Sequence, residues 1–556
     1  MGTSRILRWT AFPGVLAGIL YLLLGVAHLF PLPNVNHPST AWFVFGLIWV
    51  FSVALWLTGL YLLHRDTIRW TGFMGYASAL AGHIIIGIWL YKADFNIIVA
   101  QKNFSLWVGL AIFLSAWGLM MFGTTLIHAE RVPHWMIVCW AGGLIVGTTG
   151  IGGRWPGYLF LAAIGIIGCS FFIWRGPKKK TDVSGPKSTL IGNGQRLASL
   201  DILRGLIMIV MAIDHASFYI LKTHSFEIWN LPVTRYVGNS GVFLTRFVTH
   251  FCAPGFFFLM GTGIILFAGS RKKQGWSNGK VMRHLVIRGT IIIALEKVLW
   301  TTILFGNLEF TKFGVLYALG GAMIASTLFL RFNSIILLCI GLAGMIVSQL
   351  IPQLFLNSGI YNHPLSILFA VPRSVGKWIN IYPLLPWLSI TLLGMVFGKE
   401  LQKGQEKAYR KLLIAAISCL VLFVIVRGIG GFGNLRPPVG SHWTGFLSLI
   451  KYPPSLTFIL LTLGVNGLLL ILLEKFHHSF GNWKTPVAVF GKTALYFYFA
   501  HWFLYSTIGL PFYFIKGNLI WLYAGWAFGL LMLYPICRQY LEFKQKTAPD
   551  SIWRFI

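Results

Sequence analysis

Asp214, His215, His250, Glu296 and His501 stand inside long apolar runs, where an ionisable side chain costs several kcal/mol unless it is paired or faces water. A histidine that titrates near neutral pH and is oriented by a carboxylate can take a proton from a hydroxyl or an amine. His215 or His250 is the candidate base, and Asp214 or Glu296 the candidate group that orients it. Arg246 precedes His250 by four residues and shares its helix face. It and His501 are the candidates for substrate contact. Taken singly, each of these side chains is as readily a buried polar group bonded to a neighbouring helix. Their depth favours a site. At 1.5 Å per residue, His215 lies about 21 Å along a helix begun at Asp201, and His250 about 12 Å from the opposite start of the next span, so both reach one level. Glu296 and His501 lie about 15 and 12 Å from the other edge.

A second group sits at the surface end of the same helix. In RLASLDILRG, Asp201 and Arg204 are three apart and share a face of its first turns. Ser199 as N-cap and Asp201 at the positive helix end explain the acid without a ligand. They do not explain Arg204, a candidate for an anionic ligand. Arg271 and Lys272 open a basic loop that reaches Arg283 and would suit the phosphates of a nucleotide-bearing cofactor. The same loop also reads as a topology signal.

The elements that position these groups are membrane helices. Of 556 residues, 56% are hydrophobic and 11% charged, against about 25% charged in ordinary soluble domains. The apolar runs approach the roughly 20 residues that cross a hydrocarbon core. They define an all-α, polytopic integral membrane protein with about sixteen transmembrane helices in two bundles. Six spans fall in residues 1–175, a Lys-, Gly- and Pro-rich linker occupies 176–197, about ten spans fall in 198–540, and a basic tail follows over 541–556.

The net charge of +31 is spread in short clusters between spans. That pattern excludes a nucleic-acid module and points to membrane lipid as a partner. Placing the basic loops inside puts both termini in the cytoplasm, as in a bacterial inner membrane protein. Outside, this leaves three longer segments, 222–241, 353–381 and 429–453, which are substrate entrances or plain connections. The six cysteines lie in or beside apolar runs with no CxxC spacing and read as packing residues. There is no HExxH and no Walker loop, so no metal site is expected. Oligomeric state is left open, a homo-oligomer included.

Five motifs carry a resemblance: RLASLDILRGLIMIVMAIDH (196–215), FLTRFVTHFCAPGFFFLMGTG (243–263), YPLLPWLSITLLGMVFG (382–398), KYPPSLTFILLTLG (451–464) and FGKTALYFYFAHWFLY (490–505). In this order they resemble the DUF1624 family, related to the heparan-α-glucosaminide N-acetyltransferase catalytic domain. The resemblance implies a transmembrane acyltransferase with acetyl-CoA as acyl donor from the cytosol. It implies a sugar amine or hydroxyl of a glycan as acceptor beyond the membrane. The Asp201 and Arg204 motif matches directly, and with Arg271 and Lys272 is the expected donor site. The family's active histidine precedes its Pro-containing span. The corresponding stretch here, near Asn239 and Ser240, has none, which leaves His215 or His250. The rival reading of the same buried groups is a proton-coupled transporter or a lipid or glycolipid flippase.

Overall fold

The computed structural model describes residues 8–29, 40–92, 106–149, 157–175, 198–222, 227–230, 240–298, 311–355, 363–438, 440, 442–476, 484–513, 517–547 and 551–554. The linker 176–197 and Asn239 lie outside them. Six helices come first: α1 (Ala11–Leu29), α2 (Thr40–His64), α3 (Trp70–Lys92), α4 (Leu106–Ala129), α5 (His134–Thr149) and α6 (Gly157–Arg175). Next come α7 (Ala198–Ile220), α8 (Ser240–Thr249), α9 (Cys252–Lys273), α10 (Asn278–Glu296), α11 (Val315–Ser326) and α12 (Ser334–Phe355). After a short α13 (Pro364–Phe369) follow α14 (Leu384–Lys403), α15 (Gln405–Ile429), a single turn α16 (Trp443–Phe446) and α17 (Leu456–Phe476). The chain closes with α18 (Lys484–Lys492), α19 (Ala494–Gly509) and α20 (Leu519–Lys546).

Within the described residues the expected spans overlap helices, and eleven spans there are long and apolar enough to cross a membrane. The count falls short of sixteen for stated reasons. α1, α5 and α11 qualify only as shorter apolar helices. α10 carries Lys280, Arg283 and Arg288, and α19 has 16 residues. The span expected over 242–268 is two helices, α8 and α9, joined at His250 and Phe251. Pro254 causes the break, because its ring excludes the carbonyl of the residue four before it, His250. The next carbonyl, of Phe251, accepts from the Gly255 amide at 3.2 Å and from Asn466 Nδ2 at 3.0 Å.

The apolar core is continuous across both halves of the chain, from Trp56 and Trp140 in the first six helices to Tyr505 and Phe543 in the last two. Polar contacts pin the halves together. Thr124 and Tyr496 share a hydroxyl bond of 2.6 Å, Thr125 reaches Gln539 at 3.0 Å, and Trp117 Nε1 donates to the Met532 carbonyl at 3.2 Å.

Non-helical backbone gathers where α7 ends and α17 begins. Glu227–Trp229 pairs with Lys451 and Tyr452, and Arg436 Nη2 donates to the Ile228 carbonyl at 2.8 Å. Strand β1 (Thr311–Phe313) lies beside β3 (Trp378–Asn380), which also pairs with β2 (Arg373–Val375). Arg427, 1% exposed, gives all its bonds to this region, to the carbonyls of Phe446, Arg436, Gly445 and Ser448 and to Asn434 Oδ1.

α7 and α18 cross backbone on backbone. A Cβ on Gly205 would stand 1.9 Å from the Val487 carbonyl, and one on Gly491 2.0 Å from that of Asp201. Neither carbonyl belongs to a side chain that can turn away. We expect Gly491→Ala to cost about 1–3 kcal/mol and to part Arg204 from α18. Thermal unfolding in detergent checks the first effect, and donor affinity the second.

Candidate active site

A cavity of about 380 Å³ opens between α7, α9, α10, α11 and α19. One end is cationic, lined by Arg204, Arg288, Lys492, Lys544 and Arg554 with His284. The remainder is apolar and ends beside Tyr498, with Met208, Met211, Phe256, Ile292 and Leu316 on its walls. Helix spacing explains this polarity. Arg204, Met208, Met211 and His215 recur at intervals of four, three and four, so they form one stripe along α7. The stripe runs from Arg204 to His215 over about 16 Å, and its first three residues line the cavity.

At the inner end His215 meets His501 of α19 ring on ring, with centroids 4.8 Å apart and Nδ1 of the first bonded to Nε2 of the second. His501 Nδ1 bonds the Phe497 carbonyl at 2.9 Å. A carbonyl only accepts, so His501 Nδ1 carries the hydrogen and its Nε2 accepts from His215 Nδ1–H. With both rings neutral, the lone pair of His215 is on Nε2. Trp502 lies against the His215 ring at 4.2 Å, and Tyr498, a cavity residue, meets it edge-on at 6.4 Å.

Asp214, next in sequence, points elsewhere, as adjacent helical residues do. Its Oδ1 accepts from Arg246 Nη1 and from Thr249 Oγ1 at 3.2 Å. Arg246 spends the rest of its fork on Glu227, Nε to Oε1 at 2.8 Å and Nη2 to Oε2 at 2.6 Å. The guanidinium is 6% exposed. Arg246, expected to contact substrate, closes a buried network here. Burial by itself would raise the Glu227 carboxyl, but the charge and hydrogen bonds of Arg246, with His250, hold it well below the usual carboxylate range.

His250 is buried between Phe247 and Phe458, with neither ring nitrogen hydrogen-bonded. Its Nε2 stands 3.5 Å from Glu227 Oε1, too long for a hydrogen bond. The orienting partner of His215 is thus His501, and the acid beside His250 is Glu227. Neither pairing follows from Asp214 or Glu296.

Glu296 lies in a different neighbourhood. It is 2% exposed and its Oε2 accepts from the Leu316 amide at 2.9 Å, at the start of α11, where a carboxylate meets the positive end of a helix. Gly314 makes room for it, since a Cβ there would come 2.3 Å from Oε1. The expectation that Glu296 orients the base is corrected accordingly.

At the cationic end, Asp201 is buried and holds Arg204 at 3.0 Å, while Arg204 Nη1 also reaches the Gly491 carbonyl at 3.4 Å. Arg204 lines the cavity. Asp201 acts behind it. Arg271 and Lys272 do not line it: Arg271 bonds Gln274 at 2.7 Å and lies over the rings of Phe267 and Trp276, and Lys272 is exposed.

Sequence reasoning missed Arg288, Lys492, Lys544, Arg554 and Glu227. Arg288 carried a usable signal, an ionisable group inside an expected span. Glu227 carried none, because only folding brings its loop back onto α8. Among the described residues no group of three His, Cys, Asp or Glu is placed to hold a metal ion, and all six cysteines are free thiols.

Helices and cavity together define an integral membrane protein with a polycationic pocket, whose Tyr498 wall meets the rings of a histidine pair. Residues 196–429 match the family model described as heparan-alpha-glucosaminide N-acetyltransferase, catalytic, so the relation expected from the motifs is shown over that segment. The matched segment holds α7 to α15, with Asp201, Arg204, Asp214, His215, Arg246 and His250. His501, Lys492 and the two later motifs lie beyond it. No curated protein matches the chain.

Proposed function

We propose that the protein is a membrane-embedded acyltransferase that moves an acetyl or related acyl group from acyl-CoA to an amine or hydroxyl of a glycan across the membrane. The observation that carries this reading is a cavity with a cationic mouth whose Tyr498 wall meets the His215 ring edge-on at 6.4 Å. A polyanionic nucleotide suits the mouth, where Arg204, Arg288 and Lys492 offer charge-assisted bonds to phosphate. The thioester arm extends past Met208 and Met211 toward His215. The mouth then faces the cytoplasm, where acyl-CoA is found. Tyr382 and Tyr452 stand hydroxyl to hydroxyl at 3.3 Å where the Glu227 loop pairs with Tyr452, and the acceptor enters on that side.

In the transfer, the acceptor nitrogen or oxygen attacks the thioester carbonyl while its proton passes to His215 Nε2. The carbon–sulfur bond breaks, and the CoA thiolate leaves and recovers a proton. His501 keeps the His215 lone pair on Nε2 by accepting from Nδ1–H.

The test is acyl transfer by the purified full chain in lipid nanodiscs, with radiolabelled acetyl-CoA and a panel of amino sugars and cell-envelope glycans. Label in an acceptor supports the reading. Transport of an unmodified substrate, with no binding of CoA, sinks it in favour of a transporter. A sharper result is expected at the mouth. Arg288→Gln and Lys492→Gln should each raise KM for the donor about tenfold and leave kcat within about twofold, because each removes binding shared by ground state and transition state.

A further inference from the structure

Resting on the donor reading above, we infer that the C-terminal turn Ser551–Arg554 is part of the donor site, supplies a cation for a phosphate at the nucleotide end, and is held there by the N-terminal bundle. Arg554 lines the cationic mouth beside Lys544 of α20. Its guanidinium is fixed in plane by Nε and Nη2, which donate to the Thr547 carbonyl at 3.2 and 2.7 Å, and Nη2 also reaches the Gln545 carbonyl at 3.3 Å. Both acceptors are neutral, so the full charge is kept at the mouth. Burial and nearby Arg271 both push this guanidinium below the usual arginine range. Two cations side by side at a half-buried place are stabilised by an anion between them.

The turn is latched from two sides. Tyr540 donates its hydroxyl to the Trp553 carbonyl at 3.1 Å, and the Trp553 ring meets Phe543 at 5.6 Å and His134 at 5.4 Å, both edge-on. His134 is the first residue of α5, and its ring also meets Phe543 at 5.2 Å. One aromatic cluster therefore ties the N-terminal bundle to the turn that carries Arg554. Lys546 Nζ, bonded to His128 Nε2 at 3.0 Å, adds a second tie on the same side. The first six helices, outside the matched family segment, thus gain a role in donor binding without touching the donor.

The experiment measures binding of coenzyme A and of 3′-dephospho-coenzyme A to the full chain in nanodiscs, for wild type, Arg554→Gln, Arg554→Lys, Trp553→Ala and His134→Ala. Arg554→Gln should weaken coenzyme A about tenfold, and Arg554→Lys should recover part of the loss. His134→Ala and Trp553→Ala should weaken it about threefold or more. Arg554→Gln combined with Trp553→Ala should be no weaker than Arg554→Gln alone, as expected of residues acting through one contact. An equal loss toward both ligands assigns the pyrophosphate, and a loss confined to coenzyme A assigns the 3′-phosphate. Wild type that binds coenzyme A with Arg554→Gln unchanged overturns this inference and leaves the donor reading standing. Wild type that binds neither ligand overturns both.

Discussion

His215→Ala is expected to lower acyl transfer by a factor of about 10²–10⁴, the range that a positioned general base supplies, while donor affinity stays within about twofold. His215 is the last residue of the α7 stripe. The cationic mouth that would bind the donor lies about 16 Å from it, so binding and chemistry separate cleanly. Its partner yields a graded result. His501→Ala removes the acceptor for His215 Nδ1–H and frees the ring to turn, and we expect a loss of about tenfold or more in kcat with KM unchanged. His501→Gln, whose amide oxygen can accept the same hydrogen, should recover part of it. A role in packing alone predicts equal losses for Ala and Gln. His250→Ala, by contrast, removes a ring with no hydrogen bond from between Phe247 and Phe458, beside Glu227. Its effect should show in stability more than in turnover. If His250→Ala abolishes transfer in well-folded protein and His215→Ala does not, the base has been assigned to the wrong ring.

The largest stability effect is expected from Arg246→Met. The substitution leaves Asp214 and Glu227 as buried carboxylates without their counter-ion, and breaking a buried pair from one side costs about 3–5 kcal/mol. Arg246 also holds the Glu227 loop against α8, and Glu227 in turn pairs its backbone with Lys451 and Tyr452. The loss should therefore spread to the segment before α17, where limited proteolysis would detect new cleavage. Arg246→Lys, which cannot bridge both carboxylates with a planar fork, should fall between. The pH dependence has a definite sign. The Glu227 carboxyl titrates lower in the folded chain than in the unfolded one, so its contribution is in place above the usual carboxylate range. It is lost as the pH falls through the depressed folded value. Wild type should lose thermal stability only at acid pH, and Glu227→Gln should flatten that acid limb.

Much of this architecture is legible in the chain because a bilayer imposes it locally. A backbone with no water to bond must close its hydrogen bonds within a segment, so apolar runs become helices, as the expected spans do where the residues are described. The finer errors have local causes too. Pro254 splits one span at His250, and α10 is too charged to count as an apolar span.

The candidate site divides along the same line. That Asp214, His215, His250 and His501 deserve attention follows from sequence alone, since intramembrane ionisable groups are costly wherever they occur. Arg204 on the His215 stripe follows as well, because helical periodicity sets it. Which group faces which does not follow. Asp214 and His215 are neighbours in sequence and diverge by about 100° around the helix, so one enters an ion pair and the other meets a histidine 286 residues away. Glu227 is brought in by a loop, Glu296 is drawn to the start of α11, and Arg554 returns from the C-terminal end of the chain to the mouth of the cavity. Periodicity fixes a side chain's direction on its own helix. Its partner depends on how helices far apart in sequence pack, and that is decided only when the whole bundle closes.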